Sequence, residues 1–216
     1  MIFGLGDYAR TAATYLLADS PHTIAAFTAN ADRIDRSELL GRPVIPFESL
    51  LETHPPDRCL LLVAVGFSRV NRARTAVYRQ CKQLGYEFIT YVNSRSYQVG
   101  EQEIGENTFI FEANVLQPFV RVGNNCVLWS GNHIGHDSTI GDNCFIASHV
   151  VISGNVSIGE SCFIGVNATI RDGVKIAPDC VIGAGAVIMA DTEPGAVYAV
   201  RGTDPHRLKS WELRNF

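Results

Sequence analysis

HDSTIGDNCFIASHVVISGNVSIGESCFIGVNATI, residues 136–170, repeats itself every eighteen residues. IGDNCF (140–145) returns as IGESCF (158–163), and the same six letters echo in IGENTF (104–109), VGNNCV (122–127) and IAPDCV (176–181). Stepping by six from Ile104 through Ile110, Leu116, Val122, Leu128 and Ile134, and on through Ile140 to Ile188, meets fifteen positions, all branched aliphatics. Every isoleucine beyond residue 100 lies on this phase, which neither a helical period of 3.6 nor a plain strand period of 2 would produce. Four places after each aliphatic stands a residue of modest size, from Thr108 and Asn114 to Ala186 and Thr192. One aliphatic and one small inward side chain per six residues describe a parallel β-solenoid with three flat faces, eighteen residues to a coil. Fifteen hexads make five coils, a prism about 24 Å tall at about 4.8 Å per rung.

The same spacing accounts for the cysteines. Cys126, Cys144, Cys162 and Cys180 are each eighteen apart and are expected to stack inside the prism as buried thiols, because parallel inward Cβ vectors sit too far apart for a relaxed disulfide. Cys59 heads the apolar run CLLLVAV (59–65) and Cys81 falls in a helical pattern, so both read as core residues.

Working outward, 216 residues suit one or two small domains. Charged residues are 19% and hydrophobic ones 46%, a globular composition with an apolar body. A formal net charge of -4 supplies no basic surface for a phosphate backbone, so nucleic acid is not an expected partner. No apolar run is long enough for a membrane span, and MIFGLGDYAR (1–10) has no charged-then-apolar leader, so no membrane association and a cytoplasmic location are expected.

Before residue 94 the six-residue phase vanishes and short strands alternate with helices, the rhythm of an α/β domain with a parallel sheet. Strands are expected at Ile2–Phe3, 23–27, 43–47 and 59–65, helices at 7–18 and 69–85, and EFITYV (87–92) leads into the solenoid. The chain thus divides into an α/β domain (1–93), the solenoid (94–200) and a C-terminal tail (201–216). GLGDYA (4–9) is a strand-to-helix turn whose glycines let backbone N–H groups approach an anion. The second strand, though, ends in Thr28, Ala29 and Asn30, without the acid that holds a dinucleotide's ribose. NAD is therefore disfavoured. A nucleotide-linked ligand at this turn and at Gly66, or a purely structural turn, are the two readings left open.

A filled solenoid must carry its chemistry at the corners. In IGHDST (134–139), His136 and Asp137 take outward places where packing asks for neither imidazole nor carboxylate. Imidazole titrates near neutrality, and an adjacent carboxylate raises its basicity, which suits a general base. One coil on, the equivalent of His136 is Gly154, whose bare N–H is placed to meet a developing oxyanion. Ser148, Val166 and Ala184, again eighteen apart, form a narrow stripe that fits a thin ligand such as a pantetheine arm and equally fits tight solenoid corners.

With these residues in view, the sequence resembles the hexapeptide-repeat acyltransferases that act on sugar nucleotides, the group of bacillosamine and perosamine N-acetyltransferases and sialic-acid O-acetyltransferase-like proteins. The resemblance runs from GLGDYA to PGAVYAV (194–200). It implies a Rossmann-like N-terminal domain, a left-handed β-helix, a homotrimer, and acetyl-CoA held as acyl donor between neighbouring prisms. Carried over, His136 is the general base and Asp137 the acid that tunes it. Phe145, Gly154, Val166 and Ala184 match cofactor-contacting positions, and Gly6, Asp7, Tyr8 and Gly66 match acceptor-binding loops. The chain departs from the group at Asp7–Tyr8, where glycine–histidine is common, and at Ala29–Asn30, where an acidic pair is often found. It also departs at Phe145, a histidine in some members, and in the ending VRGTDPHRLK (200–209), where Arg201, Arg207 and Lys209 read either as CoA-phosphate contacts or as a solvated tail.

The expected reaction is direct acetyl transfer from acetyl-CoA to an amino group, less readily a hydroxyl, of a nucleotide-activated deoxysugar, with no metal. Two other readings stay open: a trimeric zinc-dependent hydratase using His133, His136 and His149, and a non-catalytic sugar-nucleotide-binding protein.

Overall fold

A computed structural model describes residues 1–212; the last four residues of the 201–216 tail lie outside the described residues. The N-terminal domain is built on a five-stranded sheet of order β3-β4-β2-β1-β5, with β1 at Ile2–Phe3, β2 at Phe27–Ala29, β3 at Glu38–Leu39, β4 at Arg42–Pro46 and β5 at Leu62–Val63. All neighbours pair in parallel except the β3–β4 edge. Helix α1 (Asp7–Asp19) follows β1, the short α2 (Leu50–Thr53) follows β4, and α3 (Arg72–Gln83) follows β5. The second strand is displaced from the expected 23–27 to Phe27–Ala29, because Thr28 is the residue that registers with Phe3. The last helix begins three residues later than expected. Arg69, Val70 and Asn71 all take left-handed φ values of 54°, 51° and 65°, and this turn drives the buried Asn71 against the solenoid, where its Nδ2 donates to Cys162 O at 3.0 Å.

The solenoid has the expected eighteen-residue register: Ile134 pairs with Ile152, Ile140 with Ile158, Ile146 with Ile164, all in parallel. From Glu103 to Ile188 each strand is two residues long, the first pointing out and the aliphatic second pointing in. The four stacked cysteines are fully buried free thiols, each donating to a carbonyl of the next coil at 3.1 to 3.2 Å.

The outward residues give the three faces different characters. One face presents Glu103, Arg121, Thr139, Ser157 and Lys175 and is the polar face. A second presents Tyr97, Val115, His133, Val151, Thr169 and Val187; it is largely apolar and no other described element packs on it, with Val187 62% exposed. The third presents Tyr91, Phe109, Val127, Phe145 and Phe163, and the N-terminal domain packs on it. Tyr8 and Tyr15 of α1 meet Phe109 and Phe111 edge-on, at 6.2 and 4.9 Å between ring centroids, so one apolar core runs from α1 into this domain face. Burying aromatic pairs in this way couples two units that a sequence boundary near residue 93 separates.

Candidate active site

His136 sits on the corner where the bare apolar face turns into the polar face. Its Nδ1 lies 2.9 Å from Asp137 Oδ2, and its side chain is 52% exposed. With the Nδ1 proton donated to Asp137, the free lone pair of the neutral ring is on Nε2. The corner is fixed by the coil before it: Gln117 Oε1 accepts the His136 N–H at 2.9 Å and Pro118 O accepts the Asp137 N–H at 3.1 Å. Asp137 takes φ 56°, the left-handed corner conformation that aspartate tolerates better than most residues.

Gly154 lies directly beneath the ring. A Cβ there would stand 2.7 Å from His136 Nε2 and 2.9 Å from Asp172 Oδ2, so any side chain at residue 154 would have to push the imidazole or the carboxylate aside. Its N–H donates to no other described residue. Asp172, which the sequence reading passed over, completes the column His136, Gly154, Asp172 at the same eighteen-residue spacing that identified the other two.

Gly6, Asp7, Tyr8 and Gly66 come together in a cleft of about 420 Å³ between the first turn of α1, the end of β5 and the domain face. Gly4 is there for the protein's own sake: at φ 130° its absent Cβ would stand 2.5 Å from Ala64 O. Gly6 and Gly66 differ. A Cβ on either meets nothing within 4 Å, so the fold does not require glycine at those places, and the bare backbone faces open cleft. The N–H groups of the first turn of α1 face the same way, with no side-chain cap at Gly6.

Phe145 belongs to this cleft and not to the stripe of Val166 and Ala184. It is an outward residue of the domain face, buried under the N-terminal domain, with Phe67 edge-on at 5.0 Å and Phe163 stacked at 5.7 Å. Val166 and Ala184 are exposed on the corner between the domain face and the bare face. Trp129 and Phe67 also line the cleft. Sequence reasoning missed both, although the run of large apolar outward residues Phe109, Val127, Phe145 and Phe163 at period eighteen marks a covered face.

Three groups of sequence-identified residues therefore occupy three places. His136, Asp137 and Gly154 hold one corner, Val166 and Ala184 another, and the cleft residues the face opposite the His136 corner. One chain does not bring them together. His133 points out from the bare face and His149 stands on the Val166 corner, so these two and His136 do not converge within one chain. Among the described residues no three His, Cys, Asp or Glu side chains gather to hold a metal, and no helix is long and apolar enough to cross a membrane. Arg201, Arg207 and Lys209 are exposed in the tail.

Residues 119–154 and 155–190 match the family of bacterial transferase hexapeptide repeats (six repeats). No curated protein matches the chain by sequence. Among solved structures, a mutant perosamine N-acetyltransferase from Caulobacter crescentus in complex with CoA and GDP-perosamine is 26% identical, with TM-score 0.83, covering 91% of this chain and 90% of that one. The acetyltransferase domain of PglB from Neisseria gonorrhoeae (24% identical, TM-score 0.79, 91% and 93% covered) and WeeI from Acinetobacter baumannii (19%, 0.80, 91% and 93%) share the fold. The matched repeats, and a likeness to the perosamine N-acetyltransferase that takes in the N-terminal domain as well as the solenoid, make this chain similar to the hexapeptide-repeat acyltransferases over nearly its whole length.

Proposed function

We propose that this protein transfers the acetyl group of acetyl-CoA to the amino group, less readily to a hydroxyl, of a nucleotide-activated deoxysugar. The observation that carries the reading is the corner itself: an imidazole oriented by a carboxylate, with its free nitrogen over a glycine whose N–H is unused. His136 takes the proton of the acceptor nitrogen as that nitrogen adds to the thioester carbonyl. Asp137 steadies the imidazolium that forms, and the Gly154 amide donates to the tetrahedral oxyanion. Collapse breaks the C–S bond, and CoA leaves as a thiol carrying the proton that His136 returns.

The acceptor's nucleotide is assigned to the cleft of Gly6, Asp7, Tyr8, Gly66 and Phe145, in a Rossmann-like domain spanning residues 1–93. The strand order β4-β2-β1-β5 supports this, being the 3-2-1-4 order of a nucleotide-binding half whose crevice opens at the carboxyl ends of the strands. The solenoid of residues 94–200 is read as a left-handed β-helix. Because His136 and the cleft lie on opposite sides of one prism, the working site needs two copies. A homotrimer packed through the bare apolar face sets the His136 corner of one copy beside the Val166 and Ala184 corner and the cleft of the next, with the pantetheine arm between them.

The test is thiol release from acetyl-CoA in the presence of UDP-, dTDP- and GDP-linked amino and hydroxy sugars. Release with one amino sugar and none without acceptor is the expected result; no release with any of the panel overturns the reading.

A further inference from the structure

Arg74 is wholly buried, yet it belongs to no core cluster and to no part of the reaction described above. From α3 its guanidinium reaches across the domain junction. Nε donates to Asn125 O at 3.1 Å, one terminal nitrogen to Asn143 O and Cys144 O at 2.9 and 3.1 Å, and the other to Gly66 O and Asn71 Oδ1, both at 3.2 Å. Every partner is a neutral oxygen. Among the described residues no carboxylate pairs with it, and burial pushes the nearby Tyr8 phenol and Cys144 thiol well above their ordinary values, so neither supplies a counter-charge. An isolated buried cation is costly. Tying corner carbonyls does not itself demand a charge, since the amide of Asn71 does the same for Cys162 O.

Two of the groups that Arg74 touches are walls of the cleft: Gly66, through its carbonyl, and Phe145, whose ring centroid is 5.9 Å from the guanidinium carbon. The cleft's own lining holds no lysine, arginine or histidine and one carboxylate, Asp7, which is exposed and paired to Arg10 at 3.4 Å. A multiply charged ligand entering there meets one fixed positive charge just behind the wall, in a low-dielectric setting where such a charge acts strongly.

We propose that Arg74 is a positioning and specificity residue of the acceptor cleft. It fixes the Gly66 turn and the Phe145 ring, and its uncompensated charge makes the cleft select a nucleoside diphosphate group over an uncharged nucleoside. The anion is the missing counter-charge. This inference rests on the reading of the cleft as the nucleotide site.

The experiment is calorimetric binding of UDP, GDP and dTDP, and of uridine, guanosine and thymidine, to the full-length protein and to its Arg74→Gln and Arg74→Lys variants. The protein should prefer one diphosphate over its nucleoside by at least about tenfold. Arg74→Gln should bring the two affinities within about threefold of each other, and Arg74→Lys, which keeps the charge and loses the fork, should retain most of the preference. Unchanged discrimination in Arg74→Gln overturns the proposal. If Arg74→Gln does not fold, the neutral Arg74→Met takes its place: diphosphate and nucleoside affinities within about threefold of each other support the proposal, and an unchanged preference overturns it. Absence of diphosphate binding in the unmodified protein overturns the cleft reading itself, an outcome distinct from failure of Arg74.

Discussion

Gly154 lies so close beneath His136 that a Cβ on it would stand 2.7 Å from the ring's Nε2. The imidazole cannot keep its place if residue 154 has any side chain, because Gly154 is part of the rigid solenoid stack while the ring is a half-exposed side chain. Gly154→Ala should therefore turn the ring aside and lower turnover about 10²-fold, the loss expected for a misplacement of about 1 Å. Truncation of the base itself, His136→Ala, should cost about 10²- to 10⁴-fold in kcat with acetyl-CoA affinity little changed. Thiol-release kinetics of the two variants check both, and near-normal turnover in His136→Ala removes the mechanism while leaving the fold.

The two glycines of the GLG turn should behave in opposite ways. Gly4→Ala collides with Ala64 O at a φ that side chains avoid, and should cost about 1–3 kcal/mol of stability. Gly6→Ala meets no protein atom and should leave stability within about 0.5 kcal/mol, yet weaken acceptor binding by at least about tenfold, or ~1.4 kcal/mol. Melting curves and acceptor titrations separate the effects. Equal affinity in Gly6→Ala shows that no ligand approaches that backbone.

How much of this was legible in the sequence follows from how each residue is held. The solenoid was readable because every coil repeats the same local demand, so Ile134, Ile152 and Ile170 appear at fixed spacing whatever surrounds the prism. His136, Asp137 and Gly154 were readable because they break that demand. The cleft was half readable: GLG announces a turn, but Trp129 and Phe67 reach it only through the packing of one domain on the other. What covers Phe145 was hidden for the same reason, since its hexad place says that it points outward and not what packs on it. Arg74 was hidden in an arginine-rich helix start, although its spacing to Tyr78 and Cys81 is that of a buried helical stripe.

Acid should loosen the junction between the domains. Asp19 at the end of α1 accepts from Ser94 N and from the Tyr91 hydroxyl, each at 2.8 Å, and the Ser94 hydrogen bonds hold its carboxyl below the ordinary range. Burial works to raise Glu106, but hydrogen bonds from Lys82 and Tyr78 of α3 outweigh it and leave that carboxyl below its ordinary value of 4.5. A depressed carboxylate stabilises the folded state above its ordinary value, and the contribution is lost as pH falls through the lower folded value. The melting temperature should thus be level above about pH 5 and drop below about pH 4, and Glu106→Gln should shallow that drop. An identical acid limb in Glu106→Gln assigns the loss to other groups.

The separation of the His136 corner from the cleft makes the strongest demand, because it predicts activity that no single variant can show. Val151 and Val187 stand exposed on the bare apolar face, and Ser157 stands exposed on the polar one. A charge on the first face must be buried unpaired when copies assemble there, so Val187→Glu should dissociate the assembly in sedimentation and abolish thiol release, while Ser157→Glu should change neither. Complementation then tests the composite site. His136→Ala keeps an intact cleft, and Gly6→Trp, which fills the cleft, keeps an intact corner. Each is expected to be inactive alone. Mixed by joint refolding, they form interfaces in which an intact corner of one copy meets an intact cleft of the next, and thiol release should return to about a quarter of the normal level, the random share of such pairings. Activity that stays at the level of the separate variants, in mixed assemblies verified by mass, would place corner and cleft in one chain's service and refute a site shared between copies.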